Sequence, residues 1–468
     1  MNALLKRIFS PTARLRVKEG EAPLPNDLSL YQRTLQVAWP SALEGVLVSL
    51  VSSFDSMMVG TIGPEAITAV GITNQPKFIF LAFIFALNMG VTAVVARRRG
   101  QNDQDGARQT LRQAVMICTI LGVVLTLVSM VVAKPLIKFA GAGDDVLDMA
   151  TGYFRIIMAG FIFNALSMTI NAAQRGCGKT RISMVTNVTA NIVNVIFNYL
   201  LIGGKFGFPK LGVTGAAIAT SLGFFVAFCM SLYSVCHKEE FLYLDFKGKW
   251  SFSKDILSPI MKVTSSSAIE QVFLRIGFFI NSMMVAGLGT YGFATHQIGM
   301  NVLNLSFTFG DGFGTAASAL SGQSLGQKRP TLASAYVKCA QRVTLMISAV
   351  LSVVFICGRH IIYGFFTKDQ AIIATGGIIM CLIAATTFFQ TSQVVIGGCL
   401  RGSGDTKFTA FVSFLCVGFV RPFTTWLFCY PLGFGVVGAW ISLILDQLVR
   451  LSLVYWRFKS NKWQQIKL

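Results

Sequence analysis

Long apolar runs follow one another along almost the whole chain, separated by short polar and charged segments. Four of these runs contain no charged residue: 113–133, 182–204, 211–236 and 370–400. A helix needs about 20 apolar residues to cross the hydrocarbon core of a bilayer. Backbone polar groups in lipid must also bond within their own segment, which favours helices. The pattern therefore predicts a series of membrane-spanning helices.

Twelve spans can be placed along the sequence. They cover roughly residues 34–59, 66–96, 112–133, 150–174, 181–203, 211–236, 257–286, 291–323, 334–357, 373–400, 407–431 and 434–457. We predict an all-α integral membrane protein with twelve transmembrane helices in two pseudo-symmetric six-helix lobes. Its predicted parts are a cytoplasmic N-terminal segment (1–33), an N-lobe (34–236), a cytoplasmic connecting loop (237–256), a C-lobe (257–457) and a cytoplasmic tail (458–468).

The basic residues are distributed unevenly between alternate loops. Most of the 40 lysines and arginines fall on the side of the N-terminus. The loops on the opposite side hold Lys134, Lys138, Lys205, Lys210, Arg359 and Lys368. Cytoplasmic loops carry the excess of basic residues in membrane proteins. Both termini are therefore predicted to be cytoplasmic, in a multi-pass membrane protein.

Composition narrows the possible functions. The chain is 53% hydrophobic and 13% charged, with a formal net charge of +20. Its basic residues lie in short loops rather than in a separate soluble domain, so nucleic-acid binding is not predicted. Its cysteines lie mostly in apolar runs and form no CxxC pair, which favours neither a disulfide framework nor a metal site. The histidines are isolated, and no catalytic cluster is evident.

The two halves of the chain repeat each other at an offset of about 226 residues. Ala-Leu-Glu at 42–44 returns as Ala-Ile-Glu at 268–270, and Ser-Met-Met-Val at 56–59 returns at 282–285. Gly-Val-Thr-Gly-Ala at 212–216 returns as Gly-Val-Val-Gly-Ala at 435–439. Six spans per half is an even number, so the repeats are parallel. Parallel repeats with substrate bound between the halves are common in secondary transporters.

One stretch could be mistaken for a nucleotide site. Gly178-Lys179-Thr180 resembles the end of a phosphate-binding loop, but that motif requires glycine at position 173, where the chain has Ala173. In the second half, Asp405 stands where the first has Lys179. We interpret the stretch as a helix connection, and we predict no cofactor and transport driven by an ion gradient.

Taken together, the motifs resemble those of the multidrug and toxic compound extrusion (MATE) transporters. The shared motifs are Asp-Ser-Met-Met-Val-Gly at 55–60, Gly-Gln at 100–101 and 326–327, Arg-Gly-x-Gly-x-Thr at 175–180 and 401–406, and Gly-Val-x-Gly-Ala-Ala-Ile-Ala-Thr at 212–220. The resemblance covers nearly the whole chain and is nearest to the bacterial DinF-like branch, which implies a location in the bacterial inner (cytoplasmic) membrane. It implies twelve helices in two lobes, a central cavity, and export coupled to entry of Na⁺ or H⁺.

Polar residues inside spans are the first candidates for the coupling site, because charges there are rare and costly. Asp55 lies near the outer end of the first span, Asn194 and Asn198 are one helical turn apart in the fifth, and Thr220 is in the sixth. Their carboxylate, amide and hydroxyl groups could form a proton site or a Na⁺ site. The resemblance implies the same place for the coupling ion. The alternative is that the asparagines only hold helices together.

The identity of the coupling ion depends on Asn198. The resemblance implies that many relatives have aspartate at this position, so this chain has one carboxylate fewer. We therefore predict that H⁺ is taken up at Asp55, in preference to Na⁺ bound by Asp55, Asn194 and Asn198. Lys77 lies in the second span at a similar depth. It is either the counter-ion of Asp55 or a side chain that extends toward the headgroups.

Other polar residues within the spans could meet the substrate. Glu44 lies eleven residues before Asp55 on the same helix face, and Glu270 is its repeat counterpart. Two carboxylates facing a central axis would suit a cationic substrate. The alternative for these acids is pairing with Arg275 or with another helix.

The second half offers three further polar positions. Asp311 in the eighth span is another candidate for the substrate cavity. Gln390 is also a candidate, at a position where the resemblance implies that some relatives carry an acid. Asp446 and Arg450 are four residues apart, and we expect them to form a structural pair, with Arg421 as a possible third partner.

We predict a monomeric secondary antiporter, not an enzyme, which exports amphipathic, cationic compounds. Its partners would be a small-molecule substrate and the lipid bilayer. A flippase for lipid-linked saccharides is the nearest alternative, although such flippases often have extra helices and cationic cavities. A membrane enzyme is a more distant alternative, because it would need clustered histidine, aspartate or cysteine residues at a membrane edge.

Overall fold

A computed structural model describes residues 10–12, 15, 17, 19–237, 240–245, 248 and 250–466. Within these ranges every regular element is a helix. In the described part of the chain, ten helices are long and apolar enough to cross a membrane, and a bent pair makes an eleventh span. The 37-residue helix Thr290–Gly326 is also long enough, although more polar. The predicted all-α membrane fold is confirmed, with a helix count that agrees with twelve spans. Parts of the predicted segments 1–33, 237–256 and 458–468 lie outside the described residues.

The chain divides into two compact units, Leu43–Thr264 and Met1–Ala42 with Ser265–Leu468. The predicted lobes, 34–236 and 257–457, begin and end where the predicted spans do. The two units of the structure are instead defined by which helices pack against each other. The helices of the first half are α1 (Asp27–Gly60), α2 (Pro64–Gly100), α3 (Gln104–Phe139), α4 (Leu147–Ala159), α5 (Phe161–Gly176), α6 (Thr180–Gly203) and α7 (Gly212–Ser234).

The second half continues with a similar series. Its helices are α8 (Lys254–Ala286), α9 (Thr290–Gly326), α10 (Pro330–Cys357), α11 (Arg359–Phe366), α12 (Gln370–Ser403), α13 (Thr406–Leu415), α14 (Arg421–Cys429) and α15 (Gly435–Lys459). A π-helical turn, Cys416–Val420, joins α13 to α14. A short 3₁₀ helix, Lys462–Gln465, follows α15.

Two predicted spans are interrupted in the structure. The span predicted at 150–174 consists of α4 and α5, which are bent by 45° on either side of Gly160. A Cβ atom at Gly160 would lie 2.9 Å from Cβ of Ser221 on α7, so the bend occurs where the helices touch. The span predicted at 407–431 contains the π turn, which adds one residue to the helix. Helix α11 lies in a stretch that the sequence had assigned to an outer loop.

Helices α1 and α8 each begin in one unit and end in the other. Glycines on neighbouring helices allow the N-terminal parts of α1 and α8 to pack closely. In the first unit a Cβ atom at Gly90 of α2 would lie 2.5 Å from Thr264 Oγ1 and 2.9 Å from the carbonyl oxygen of Ile260. In the second unit a Cβ atom at Gly312 of α9 would lie 2.6 Å from the backbone nitrogen of Ala42. Small residues allow such backbone approach, which supports helix association in membranes.

Each unit has its own apolar interior. In the first, the buried side chains of Leu87, Leu111 and Phe154 belong to one apolar cluster that joins α2, α3 and α4. In the second, Phe313 and Val395 join α9 to α12. Because lipid is as apolar as these side chains, dispersion contacts rather than exclusion of water hold the helices together. This packing fixes the helices that carry the polar residues described next.

Candidate functional site

Asp55 lies at the centre of a polar network in the first unit. It is half-buried on α1, and Asn198 of α6 donates a hydrogen bond of 2.8 Å from Nδ2 to Asp55 Oδ1. Asn194 and Asn198 are only 5% and 2% exposed. Asn194 is also hydrogen-bonded to Thr220 of α7, at 3.1 Å. The structure therefore brings together all four residues predicted around the coupling ion.

The Asn194 amide can face Asp55 in either of two orientations. With Nδ2 toward the carboxylate, it donates to Oδ1 and Oδ2 of Asp55 at 2.8 and 2.9 Å, and its Oδ1 accepts from Thr220 Oγ1 at 3.1 Å. With Oδ1 toward the carboxylate, it accepts from Asn198 at 3.3 Å and donates to Thr220. An ionised carboxylate only accepts hydrogen bonds, so it requires the first orientation. A protonated carboxyl could donate to Asn194 Oδ1 in the second.

One oxygen of the network has no donor. Asn198 Oδ1 is buried, and no hydrogen-bond partner for it exists among the described residues. A buried acceptor left without a partner costs free energy. Because Asn198 uses its nitrogen to bond Asp55, its oxygen remains available to a hydrogen-bond donor such as a water.

Lys77 is close to this network but does not make a contact ion pair with Asp55 among the described residues. Its Nζ donates to Asn74 Oδ1 at 3.1 Å on the same helix and lies 5.9 Å from the ring centre of Phe78. The charges of Lys77 and Asp55 still interact over a longer distance. Its role as the counter-ion therefore stays a prediction, with an electrostatic rather than a direct basis.

Glu44 also binds to α6. Asn187 Nδ2 and Ser183 Oγ donate to Glu44 Oε1, the second at 3.3 Å. Arg175 donates to Ser183 Oγ at 2.7 Å rather than to the carboxylate. The Glu44–Asn187 and Asp55–Asn198 pairs have the same sequence separation, 143 residues. Helices α1 and α6 therefore run parallel in one register, as expected for the first and fifth spans of an alternating bundle.

Glu270, the repeat counterpart of Glu44, is more tightly held. It is 3% exposed, and it accepts hydrogen bonds from Arg401 Nη1 at 3.2 Å and from Thr409 Oγ1 at 2.8 Å. Arg401 corresponds to Arg175 and Thr409 to Ser183 at the offset of 226. The two clusters are thus equivalent, but only the second contains a direct ion pair between its arginine and its glutamate.

The remaining candidates of the second unit, Asp311, Gln390 and Asp446, lie on three different helices. Asp311 on α9 is exposed. Gln390 on α12 is 7% exposed, and within the described chain its Oε1 is buried without a partner. Asp446 contacts both Arg450 and Arg421, which confirms the predicted structural group.

Sequence reasoning missed the residues that hold the two glutamates. A signal for Ser183 and Thr409 did exist, because both have hydroxyl side chains and they correspond at the repeat offset. Asn187 could have been found from register alone. It precedes Asn198 by the same eleven residues that separate Glu44 from Asp55.

Comparison with known proteins adds independent support. The family model MatE matches residues 40–200 and again 266–427, so its two matches begin at the offset of the internal repeat. A probable multidrug resistance protein NorM from Thermotoga maritima is 28% identical over 442 residues, with 93% of this chain and 94% of that protein covered. An uncharacterized transporter, YisQ, from Bacillus subtilis is 26% identical over 445 residues, covering 95% of this chain and 96% of its own length.

A solved structure shows the same fold. A MOP superfamily transporter from Pyrococcus furiosus superimposes with a TM-score of 0.86 at 19% sequence identity, covering 95% of this chain and all of that one. The family model covers more than half of the present sequence, in both of its repeats. The chain therefore belongs to the MATE family of membrane transporters.

Proposed function

We propose that the protein is a secondary active antiporter, which exports amphipathic, cationic compounds in exchange for H⁺ or Na⁺, with H⁺ favoured. The observation that carries this proposal is the network of Asp55, Asn194, Asn198 and Thr220. It places one ionisable group among buried amides inside a membrane transporter. A charged side chain within a membrane span costs free energy, so an acid kept there usually has a function. We further propose a monomer in the bacterial inner membrane, with both termini cytoplasmic.

The hydrogen-bond geometry favours a proton over a sodium ion. Both asparagine amides can present nitrogen to Asp55. A Na⁺ ion would require oxygen ligands, so both amides would have to turn over, with only one carboxylate to balance the charge. Protonation requires one amide to turn, so that the new hydroxyl of Asp55 donates to Asn194 Oδ1.

This rotation would couple the proton to the helices. Asn194 is also bonded to Thr220 on α7, so turning its amide reverses the direction of that hydrogen bond as well. Neutralising Asp55 removes its electrostatic interaction with Lys77 on α2. One proton thus changes hydrogen bonds on α1, α6 and α7 and a longer-range charge interaction with α2. A two-state element biased in this way is what alternating access needs.

The substrate class rests on two acids carried by helices of membrane-spanning length, Glu44 and Asp311. In the described part of the chain, Glu44 accepts hydrogen bonds from the neutral side chains of Ser183 and Asn187. Asp311 is exposed on a helix of membrane-spanning length, and an acid there must face water rather than lipid. These negative charges would attract organic cations. The Thermotoga relative is named as a multidrug resistance protein, which supports a broad substrate range.

Purified protein in proteoliposomes tests the proposal. We expect efflux of cationic dyes under an imposed proton gradient, without ATP. A Na⁺ gradient alone should drive weaker efflux. Transport that requires ATP, or export with neither gradient, would contradict the antiporter function. Faster efflux under a Na⁺ gradient than under a proton gradient would support the antiporter but identify Na⁺ as its coupling ion.

A further inference from the structure

The second unit contains a repeat counterpart of the Asp55 network with different chemistry. Asn281 of α8 corresponds to Asp55 at the offset of 226, and Thr425 of α14 donates to Asn281 Oδ1 at 3.0 Å. This pair is separated by 144 residues, against 143 for Asp55–Asn198. The extra residue is the insertion expected from the π turn that precedes α14. The acid of the first unit is therefore replaced by a neutral amide in the second.

The same correspondence places an arginine where the first unit has an asparagine. Allowing for the inserted residue, Arg421 is the counterpart of Asn194. Ser442 of α15, one position from the counterpart of Thr220, bonds Thr425 at 2.9 Å and donates to the carbonyl oxygen of Arg421 at 3.1 Å. The second unit has neutral Asn281 where the first has acidic Asp55, and basic Arg421 where the first has neutral Asn194. The side-chain charge of this network is therefore opposite in sign in the two units.

Arg421 shares a buried carboxylate with a second arginine. Its Nη2 donates to Asp446 Oδ2 at 2.5 Å, and Arg450 Nη2 donates to the same oxygen at 3.2 Å. The side chains of Arg421, Arg450 and Asp446 are 3%, 9% and 0% exposed. Arginine stays protonated in proteins, so this group carries one positive charge that Asp446 does not balance.

The excess charge has no other carboxylate partner among the described residues. Arg421 lies 5.0 Å from the ring centre of Phe278, and a cation–π contact compensates only part of a buried charge. Nε of Arg421 and Nε of Arg450 are both buried and without a hydrogen-bond acceptor in the described chain. Buried charges in proteins are normally paired and hydrogen-bonded, so these two donors indicate a missing anionic acceptor.

We propose that Arg421 and Arg450 bind a small monovalent anion in the second unit, either a halide or the carboxylate of a small organic acid. One negative charge neutralises the group, and the burial of both arginines excludes a large or strongly hydrated ligand. The π turn directly before Arg421 is of a kind often found at functional sites. The inference stands on the geometry of the second unit and does not require the coupling role of Asp55.

Thermal unfolding of the purified full-length protein tests this site. At constant ionic strength, replacing gluconate with chloride, bromide or acetate should raise the unfolding midpoint, since a ligand that binds only the folded state stabilises it. Arg450→Gln leaves a neutral Arg421–Asp446 pair, so the chloride-dependent shift should disappear. Lys459→Gln, which removes an exposed cation at the end of the same helix, should keep the full shift.

The anions distinguish the two sources of the ligand. Shifts with chloride and bromide but not with acetate indicate a halide site, whereas a shift with acetate but not with the halides indicates the carboxylate of a small organic acid. Anomalous diffraction from bromide-soaked wild-type crystals gives a second measurement if Arg450→Gln fails to fold, and a peak beside Arg421 and Arg450 is expected. Equal midpoints in all salts together with no bromide peak would overturn the proposal and leave ordered water as the partner of both arginines.

Discussion

Asn198 Nδ2 donates a hydrogen bond of 2.8 Å to Asp55 Oδ1, and so joins α6 to a carboxylate near the end of α1. The amide cannot release or take up a proton, whereas the carboxylate can. In the proposed mechanism the pair therefore separates two tasks: Asp55 carries the charge that changes, and Asn198 fixes the position of its carboxylate. Each task can be tested by one substitution.

Asp55→Asn should abolish efflux driven by a proton gradient while the protein remains folded and inserted. The amide cannot be protonated in the relevant range, but it has a similar size and can still bond Asn198. Efflux from proteoliposomes and size-exclusion elution together separate lost coupling from lost folding. Asp144→Asn, which changes an exposed acid near α4, should transport normally. Normal gradient-driven efflux by Asp55→Asn would make Glu44, Glu270 and Asp311 the next candidates.

Asn198→Asp should increase the Na⁺ dependence of transport. A second carboxylate beside Asp55 supplies the oxygen ligands and negative charge that Na⁺ prefers. The measurement is dye efflux at several Na⁺ concentrations with the proton gradient held fixed. Asn191→Asp adds a carboxylate to the same helix at a position bonded to the carbonyl oxygen of Asn187. If both variants respond equally to Na⁺, the effect comes from an added negative charge anywhere on α6 and not from a Na⁺ site at Asp55.

The sequence predicted the Asp55 network because its residues are polar groups at matching depths in apolar helices. It could not predict the amide orientations, which depend on distances of a few tenths of an ångström. The register of α1 against α6 could have been predicted. If Asp55 is assumed to pair with Asn198 on parallel helices, the residues eleven positions earlier, Glu44 and Asn187, must also pair. The π turn had no clear signal, because the inserted residue does not break the apolar run around Cys416.

Glu44 and Glu270 should respond differently to the same substitution. Glu270→Gln breaks a buried ion pair with Arg401, so we expect lower stability, by about 1.5–3 kcal/mol for a hydrogen bond that involves a charged group. Glu44→Gln breaks no ion pair described here and should keep stability while weakening the affinity for cationic dyes. Thermal unfolding midpoints and concentration-dependent efflux measure the two effects. Equal losses of stability would show that both glutamates are structural.

Two native cysteines can test the predicted topology. Cys236 follows α7 and Cys357 ends α10, and both are exposed. The predicted orientation puts Cys236 in the cytoplasm and Cys357 outside. A membrane-impermeant maleimide should therefore label Cys357 in intact cells and Cys236 only after permeabilisation, as read by peptide mass spectrometry. Cys236→Ser and Cys357→Ser identify each signal. Labelling of Cys236 in intact cells would invert the orientation.

The close approach of α2 to α8 should make Gly90 intolerant of any larger side chain. Even the first added atom, Cβ, would lie 2.5 Å from Thr264 Oγ1 and 2.9 Å from the carbonyl oxygen of Ile260. The second contact is with backbone, which cannot rotate away as a side chain can. Gly90→Val should therefore separate the two helices and sharply reduce the yield of monodisperse protein in detergent.

Gly71 provides a matched control on the same helix. A Cβ atom there would meet nothing within 4 Å, while the change in helix propensity from glycine to valine is the same at both positions. Gly71→Val should consequently give a yield and an unfolding midpoint close to those of the wild type. If Gly90→Val behaved like Gly71→Val, α8 would have to be free to move away from α2, and the packing of its first part within Leu43–Thr264 would not be needed for folding.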